Sequence, residues 1–492
     1  MYEPQISAVR AALRSLDSGA AWPAGRSPEP DEIYTPSRHR NVLDINRTIV
    51  VGNRGVGKTF WSHALLSKAG RDRLASQYDL SSLRDVTAEF GFKGSFSDRF
   101  APSEVVLSAA LEKVGDPLTV WKAVLLRILQ VPQLASMSED LVKLSEWLKV
   151  NPEEGERLLR IADSSRTKPL LVMFDALDTL ASDWTQIRNR TEGLLKLAVL
   201  AKGFKYVKLK IFMRPDQFED TAVFRFPDAS KLRAERVGLQ WRGTDLYGLM
   251  LFHLLRDDDA RPCVKQIMTS LFSSLVSSDG NVQEQYLNLE DVQRPIFNAF
   301  AGEWMGRDRK RGATYSWLIQ HLADANGETT PRGFLTALKS AAETASPELP
   351  QAIDFRGLHH GVAVASENRV DDLRQDYWWI DFVRAGLSGM ETPLDRETLF
   401  GKWSENGVVN LIKTASAGRG ILPLHLALRD FLDRLPPDMA RLLDSDEAAL
   451  LQTLRLIGVA EIRSNGKVNF PDIFRVAFGM KRRGGVAPRP QG

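Results

Sequence analysis

The stretch of the chain with the clearest chemical potential is VVGNRGVGKTFW, from Val50 to Trp61. It places three glycines within six residues, between a β-branched run and a pattern typical of a helix. Glycine allows backbone conformations that other residues resist, so successive N–H groups can converge on one anion. A helix that begins directly afterwards adds its positive N-terminal end. The stretch therefore predicts a loop that binds phosphate.

The spacing of this stretch, a glycine, four residues, then Gly57-Lys58-Thr59, matches the phosphate-binding loop pattern of nucleotide-binding proteins. In that pattern Lys58 reaches the β- and γ-phosphates, and the Thr59 hydroxyl is a Mg²⁺ ligand. A chance Gly-rich turn is the alternative, but a predicted strand before the loop and a predicted helix after it favour the motif. The residues that we expect to contact the nucleotide are Gly52, Asn53, Arg54, Gly55, Val56, Gly57, Lys58, Thr59 and Phe60.

Three short apolar runs predict buried strands: RTIVVG (47–52), LLVMF (170–174) and VKLKIFM (207–213). Segments with helical spacing lie between them. Continuous apolar strands that alternate with helices are typical of a parallel sheet with crossover helices. The sequence therefore predicts an α/β domain, and helical patterns dominate after about residue 241.

Two carboxylates follow the second of these strands. Asp175 ends the run LLVMF, where a carboxylate would face the Mg²⁺ position of the loop, and Asp178 could position or activate a water. The alternative is that both are turn residues, because Asp is common at strand ends. The sequence here is DALD, and the absence of a Glu directly after Asp175 argues against fast hydrolysis.

Arg214 follows the third predicted strand. The carboxyl ends of the strands in an open parallel sheet line the ligand crevice, so an Arg at this point could contact the γ-phosphate. A surface ion pair is the alternative.

The order of loop, acidic strand end and polar strand end resembles AAA+ ATPases. In that family an Arg-Phe pair often carries the finger that reaches a neighbouring subunit's nucleotide, and Arg225 in AVFRFPD matches it. The segment GETTPRGFLTALKSAAETA (327–345) is similar to the lid helix of origin-recognition-type members, in which Arg332 would contact the nucleotide. Ordinary exposed arginines are the alternative for both residues. Signal-transducing STAND ATPases share these features, and some related bacterial ATPases act against phage.

The resemblance implies ATP as the nucleotide, Mg²⁺ as its metal, and self-association or a protein partner. It also implies a P-loop sheet domain with a helical lid and a winged-helix region. About 116 residues separate Lys58 from Asp175, which is longer than the compact family core needs and indicates an insertion. The expected organisation is a lead-in (1–40), an ATPase core (41–240), a lid (241–347), a helical region (348–440), a winged-helix-like domain (441–480) and a basic tail (481–492).

The last part of the chain is basic. The net charge is +3 over 492 residues, yet the segment 452–492 alone carries +6. Here a helical pattern precedes VAEIR, a Ser-Asn-Gly turn and KVNF, which together predict a β-hairpin and a winged helix. Nucleic-acid contact through Arg463, Lys467 and the run Lys481, Arg482, Arg483 is one interpretation, and a protein-binding module is the other.

The amino-acid composition limits the class of protein to which the chain can belong. The chain is 43% apolar and 26% charged, and these values are typical of a globular protein of several domains. One cysteine excludes an internal disulfide framework and favours the cytoplasm, and we expect no membrane segment.

The function predicted from the sequence is an ATP-binding, Mg²⁺-dependent P-loop ATPase that couples nucleotide state to its C-terminal domains. Two alternatives stay open at this point. One is a slow nucleotide switch or scaffold with little hydrolysis, and the other is a DNA-bound, initiator-like remodeller.

Overall fold

The computed structural model of the chain describes residues 6–16, 26–94, 96–181, 183–272, 275–276, 282, 284–416, 422–434 and 437–482. These residues divide into two compact units. The described residues from 26 to 240 form the first, which we call the sheet unit. Those before 17 and after 240 form the second, the helical unit.

A five-stranded parallel sheet is the centre of the sheet unit. Its strands are β1 (Ile49–Val51), β2 (Thr87–Phe92), β3 (Leu170–Phe174), β4 (Val207–Met213) and β5 (Val237–Gly238). Their order is β2-β3-β4-β1-β5, and every pairing is parallel. The predicted α/β fold and its parallel sheet are therefore confirmed. All five residues of β3 are buried, which explains its unbroken apolar sequence.

The position of β1 in the sheet marks the expected place for a ligand. β1 lies between β4 and β5, while β2 and β3 lie on the far side of β4. Strand order therefore changes direction beside β1. Ligands of open α/β sheets bind outside the carboxyl ends of the strands at such a point.

Helices surround the sheet and build the second unit. Up to residue 240 they are α1 (Ile6–Arg14), α2 (Arg40–Leu43), α3 (Lys58–Leu66), α4 (Lys68–Tyr78), α5 (Glu104–Val114), α6 (Pro117–Ile128), α7 (Leu141–Val150), α8 (Pro152–Ser164), α9 (Trp184–Ala201), α10 (Pro215–Glu219) and α11 (Ala229–Ala234). After it they are α12 (Gly243–Leu254), α13 (Ala260–Leu271), α14 (Glu290–Ala301), α15 (Thr314–Leu322), α16 (Pro331–Glu343), α17 (Phe355–Asp376), α18 (Ile380–Leu387), α19 (Arg396–Glu405), α20 (Val408–Ser416), α21 (Leu424–Leu428), α22 (Pro437–Leu442), α23 (Asp446–Leu456) and α24 (Asp472–Arg475).

The long interval between the phosphate loop and β3 contains helices α5 to α8, which follow β2. Trp121 of α6 is fully buried, and its ring packs edge-on against Phe174 at the end of β3, with the centroids 5.6 Å apart. Its indole N–H donates to the carbonyl of Arg190 in α9 (2.8 Å). The inserted helices thus share one core with the sheet rather than forming a separate body.

Helix α1 belongs to the helical unit, so the predicted lead-in, residues 1–40, is divided between the two units. Arg10 is the main anchor of α1. Its buried guanidinium donates to four carbonyls in the segment after α16, namely those of Pro347, Leu349, Gln351 and Ala352, at 2.7–3.1 Å.

The C-terminal hairpin has the predicted Asn-Gly turn. Strands β6 (Glu461–Ile462) and β7 (Val468–Asn469) pair antiparallel, and Gly466 adopts a φ of +80°. On its other side, β7 exchanges two backbone hydrogen bonds with Leu394, at 2.8 and 2.9 Å. Leu394 forms an isolated bridge rather than a strand, and it lies outside the range 441–480 expected for the module.

Within the described ranges, the structure has no helix that is both long enough and apolar enough to cross a bilayer.

A buried histidine connects the segment before β1 to the helix after the phosphate loop. His39 is fully buried, its Nε2 donates to the carbonyl of Gln240 (3.0 Å), and its ring packs edge-on against Trp61 of α3. Burial disfavours the charged imidazolium and lowers the pKa of His39 from 6.5 to about 4. Between these two pH values the unfolded chain binds a proton at His39 and the folded chain does not, so acid favours unfolding.

We expect the sheet unit to lose roughly 3 kcal/mol of stability as the pH falls from 6.5 to 4, because each unit of pKa shift is worth about 1.4 kcal/mol. Denaturant unfolding across this pH range, followed in the parent and in His39→Phe, measures the effect. The variant should show a shallower pH dependence. His425 in the helical unit is half-buried, and desolvation lowers its pKa to about 4, which contributes equally to both proteins. Parallel curves would show that His39 is not the source.

Candidate nucleotide-binding site

The loop from Gly52 to Gly57 connects the end of β1 to the start of α3, as the sequence predicts. Gly55 and Gly57 have φ values of +81° and +96°, in the left-handed region that favours glycine. Gly57 is also the N-cap of α3, so the first N–H groups of the helix point toward the loop. The backbone is therefore shaped to surround an anion at a helix N-terminus.

Gly52 is required by close packing rather than by its φ. Its N–H donates to the carbonyl of Met213 at the end of β4 (3.1 Å), which fixes the loop to the neighbouring strand. A Cβ at this position would lie 2.8 Å from Cγ2 of Val56 and 3.2 Å from Cβ of Leu239. A larger side chain would thus push the loop away from the sheet.

Lys58 lies over the loop as the pattern requires. Its Nζ donates to the carbonyls of Gly52 (2.8 Å) and Asn53 (3.0 Å), so the ammonium is within the curve of the loop. The next residue, Thr59, is exposed and accepts hydrogen bonds at its carbonyl from the side chains of Ser62 and His63. Loop and helix thus present the Lys58 ammonium, the hydroxyl of exposed Thr59 and several N–H groups at the same edge.

Asp175 is buried at the carboxyl end of β3, and the structure connects it to the loop helix. Its Oδ2 lies 3.2 Å from the Ser62 hydroxyl, whose single proton it shares with the Thr59 carbonyl (3.0 Å), and its Oδ1 accepts a hydrogen bond from the N–H of Ala176 (2.9 Å). Ser62 lies three residues after Thr59, on the same face of α3. The predicted metal ligands Thr59 and Asp175 are therefore neighbours through Ser62.

The sequence interpretation did not include Ser62. The available signal was its spacing of three residues from Thr59, which gives two hydroxyls on one helix face. That pattern becomes informative only when the acidic strand is known to lie beside this helix.

Arg214 and Asp178 are brought together, as an ion pair. Nη1 of Arg214 lies 3.8 Å from Oδ2 of Asp178. The same buried guanidinium also forms a two-point contact with Asp216, with Nε to Oδ1 at 3.1 Å and Nη2 to Oδ2 at 2.9 Å. Arg214 thus forms a buried ion pair, whereas the alternative was a surface ion pair, and a role toward the γ-phosphate stays a prediction. Asp216 was not predicted as a site residue.

The two arginines assigned by family resemblance belong to different units. Arg225 follows a short 3-10 turn in the sheet unit, and its side chain is exposed. Arg332 is in the first turn of α16 in the helical unit, where its Nη1 contacts both carboxylate oxygens of Asp372 (2.8 and 2.9 Å). The roles predicted for both residues stay predictions.

The donor set fits a magnesium–nucleotide complex. The glycine loop has room for close backbone approach, and Lys58 supplies the positive charge for a polyphosphate. Mg²⁺ prefers oxygen ligands and commonly takes one or two from the protein and the rest from phosphates and water. The hydroxyl of Thr59 and the carboxylate of Asp175 are such ligands.

No family model matches the chain, and no curated protein matches it. Among solved structures, the chain is similar to the Aeropyrum pernix Orc1 protein in complex with DNA. The identity is 12%, over 97% of this chain and 91% of that chain, and the TM-score is 0.32. At that score the likeness carries no inference about function, which must come from the geometry of the site.

The packing around Gly52 gives a direct test of the loop. Gly52→Ala should lower the free energy of unfolding by roughly 1–3 kcal/mol, the usual cost of overpacking, and should also weaken nucleotide binding. Gly203→Ala in the same unit is the control, because its nearest contact would be an ordinary 3.4 Å. Chemical denaturation and nucleotide titration measure both effects. Equal stability of the two variants would mean that the loop has room for a methyl group.

Proposed function

We propose that this chain is an ATP-binding, Mg²⁺-dependent P-loop ATPase. The observation that carries the proposal is the connection from the phosphate loop, through Ser62, to the buried carboxylate of Asp175. A glycine loop alone could be a turn. A glycine loop whose helix contacts an acidic strand end has the two parts that a magnesium-bound polyphosphate requires. ATP rather than GTP follows from the family resemblance.

In this proposal each group of the loop has a defined task. Backbone N–H groups from residues 53 to 59 bind the phosphate oxygens, and the ammonium of Lys58 moves from loop carbonyls to the β- and γ-phosphates. The carboxylate of Asp175 and the hydroxyl of Thr59 hold the metal position. Bound Mg²⁺ neutralises charge that develops on the phosphates. Ser62 positions the carboxylate.

The second candidate function is a slow nucleotide switch. One support is that Asp178, the predicted water-positioning residue, pairs with Arg214. The other is that Ala176 occupies the position directly after Asp175, where a fast ATPase would have a glutamate. A carboxylate oxygen that faces a guanidinium is less available to orient a water. Steady-state phosphate release, compared with the affinity for nucleotide, separates the two functions, since a switch combines tight binding with turnover close to zero.

The AAA+ resemblance adds proposals about assembly and regulation. Arg225 would act across an interface between copies, and Arg332 would report nucleotide state to the helical unit. A STAND-like switch and a role in antiviral defence stay predictions from the same resemblance.

Nucleic-acid binding by a C-terminal winged helix is a further proposal. Arg463 and Lys467 flank the hairpin turn, and Lys481 is exposed. Arg482 instead donates to the buried carboxylate of Asp472 (3.1 Å), and Arg483 lies outside the described residues. The basic tail therefore offers fewer free charges to a partner than its sequence suggests.

Lys58→Ala tests the central proposal. Loss of one charge-assisted contact to phosphate, worth about 1.5–3 kcal/mol, should weaken ATP binding at least about tenfold. The fold should persist, because Lys58 is only half-buried. The control is Lys68→Ala, an exposed lysine paired with Asp72 at the start of α4. Calorimetric titration with Mg-ATP measures affinity, and a folded variant that binds as tightly as the parent would contradict the assignment.

Arg225→Ala tests action between subunits. We expect reduced turnover in an oligomer and none of this loss in a monomer, because the exposed side chain has no active-site partner among the residues that the structure describes. Lys231→Ala, an exposed neighbour paired with Asp228, is the matched control. Phosphate release is measured across a concentration series with the oligomeric state determined by light scattering. An equal loss in a proven monomer would discredit the finger role.

A further inference from the structure

A short hairpin connects α14 to α15 in the helical unit. Trp304 and Ala313 form an antiparallel bridge, and the N–H of Met305 donates to the carbonyl of Gly312 (2.9 Å). At the base, the N–H of Thr314 donates to the carbonyl of Glu303 (3.0 Å). We call residues 303–314 the basic hairpin, because its tip from 307 to 311 reads RDRKR.

The tip of the basic hairpin has a defined turn. Asp308 caps it by accepting the N–H of Lys310 at its carboxylate (2.9 Å), and two further backbone bonds close the 3-10 turn Arg309–Arg311. Met305 is buried and anchors one strand. The stem of Arg311 lies near Gly306, where an added Cβ would be 3.0 Å from Cγ of Arg311. The cations are thus carried on a fixed scaffold.

The tip carries an excess of positive charge, with four cationic side chains and one carboxylate. All four cationic side chains are exposed, and none makes a hydrogen bond or ion pair with a residue that the structure describes. These side chains are Arg307, Arg309, Lys310 and Arg311. The one carboxylate among them, Asp308, caps the turn. Like charges at this density repel each other, and an external polyanion would relieve that repulsion.

The shape of the tip indicates which polyanion fits. In a 3-10 turn three residues complete one revolution, so Arg309, Lys310 and Arg311 point in directions about 120° apart. A convex tip that is cationic all round matches a groove with negative charge on both walls. A nucleic-acid duplex has such grooves, lined by phosphates of its two strands. Arginine, three of the four cations, contacts phosphate through two parallel N–H groups.

We propose that the basic hairpin docks onto the phosphate backbone of double-stranded nucleic acid, without reading bases. An anionic membrane surface fits less well, because proteins that lie on membranes add apolar anchors to their charge. The exposed large apolar side chain nearest along the chain, among the described residues, is Leu289, before α14. The proposal does not depend on nucleotide binding or on the predicted winged helix.

The test uses the full chain and a triple charge reversal, Arg309→Glu, Lys310→Glu and Arg311→Glu. Fluorescence anisotropy measures binding to labelled DNA duplex, RNA duplex and single strands, in KCl from about 50 to 200 mM. Each lost phosphate contact should reduce the slope of log K against log salt by about 0.9, so the triple variant should lose about 2.7 of the slope for duplex DNA. A second triple variant, with Gln in place of Glu, removes the charges without adding new ones and is less prone to misfold. Its slope of log K against log salt should also be reduced.

A matched control reverses three exposed cations of the sheet unit, Lys143, Arg157 and Arg160, with the same change in charge. The proposal is supported if duplex binding falls at least about tenfold in the hairpin variants and not in the control. It is overturned if the parent binds no duplex, if control and hairpin variants lose equally, or if only Arg463→Glu/Lys467→Glu reduces the slope. Loss of binding to phosphatidylserine vesicles with duplex binding intact would also overturn it. Lys58→Ala should keep duplex binding, which separates this test from that of the ATPase.

Discussion

The hydrogen bond from Ser62 to Asp175 is the contact on which the interpretation of this molecule depends. It joins the helix that starts at the phosphate loop to a strand that is not that helix's sequence neighbour. The apolar strands, the order of the sheet and the tight packing at Gly52 all act to bring these two side chains within 3.2 Å. Since Asp175 is buried, its carboxylate requires such partners, and they fix its orientation toward the loop.

The sequence predicts this centre well because its signals are local. The loop motif, the apolar strands and the acidic residue at the end of β3 each lie within a few consecutive residues. The residues that contact the site side chains could not be predicted from such local signals. Asp216 binds Arg214 from only two positions away, yet a sequence gives no reason to prefer it over Asp178, and both contact the guanidinium. The contact of Ser62 with Asp175 can be recognised only when β3 is known to lie beside α3.

The distribution of available charge on the protein is also difficult to predict from the sequence. The C-terminal segment attracts attention through its net charge, but in the fold Arg482 and Arg475 both contact the carboxylate of Asp472. The cluster from Arg307 to Arg311 has a smaller total and sits in an otherwise ordinary helical region. It stands out only when burial and ion pairs are known, because four cationic side chains lie close together along the chain, all exposed, and none of them pairs with a carboxylate of the described residues. The net charge of a segment can be calculated from its sequence, but the charges that are already neutralised by ion pairs are visible only in the structure.

The docking of α1 through Arg10 affects folding during synthesis and the outcome of proteolytic cleavage. The carbonyls that bind this guanidinium are encoded more than three hundred residues later, so the sheet unit is an insertion in the chain of the helical unit. During synthesis the sheet unit can complete its own core before the carbonyls that accept from Arg10 have been made. A protease that nicks the chain near residue 240 would leave α1 clamped to the later fragment by those carbonyl contacts, so the two pieces would copurify until denatured.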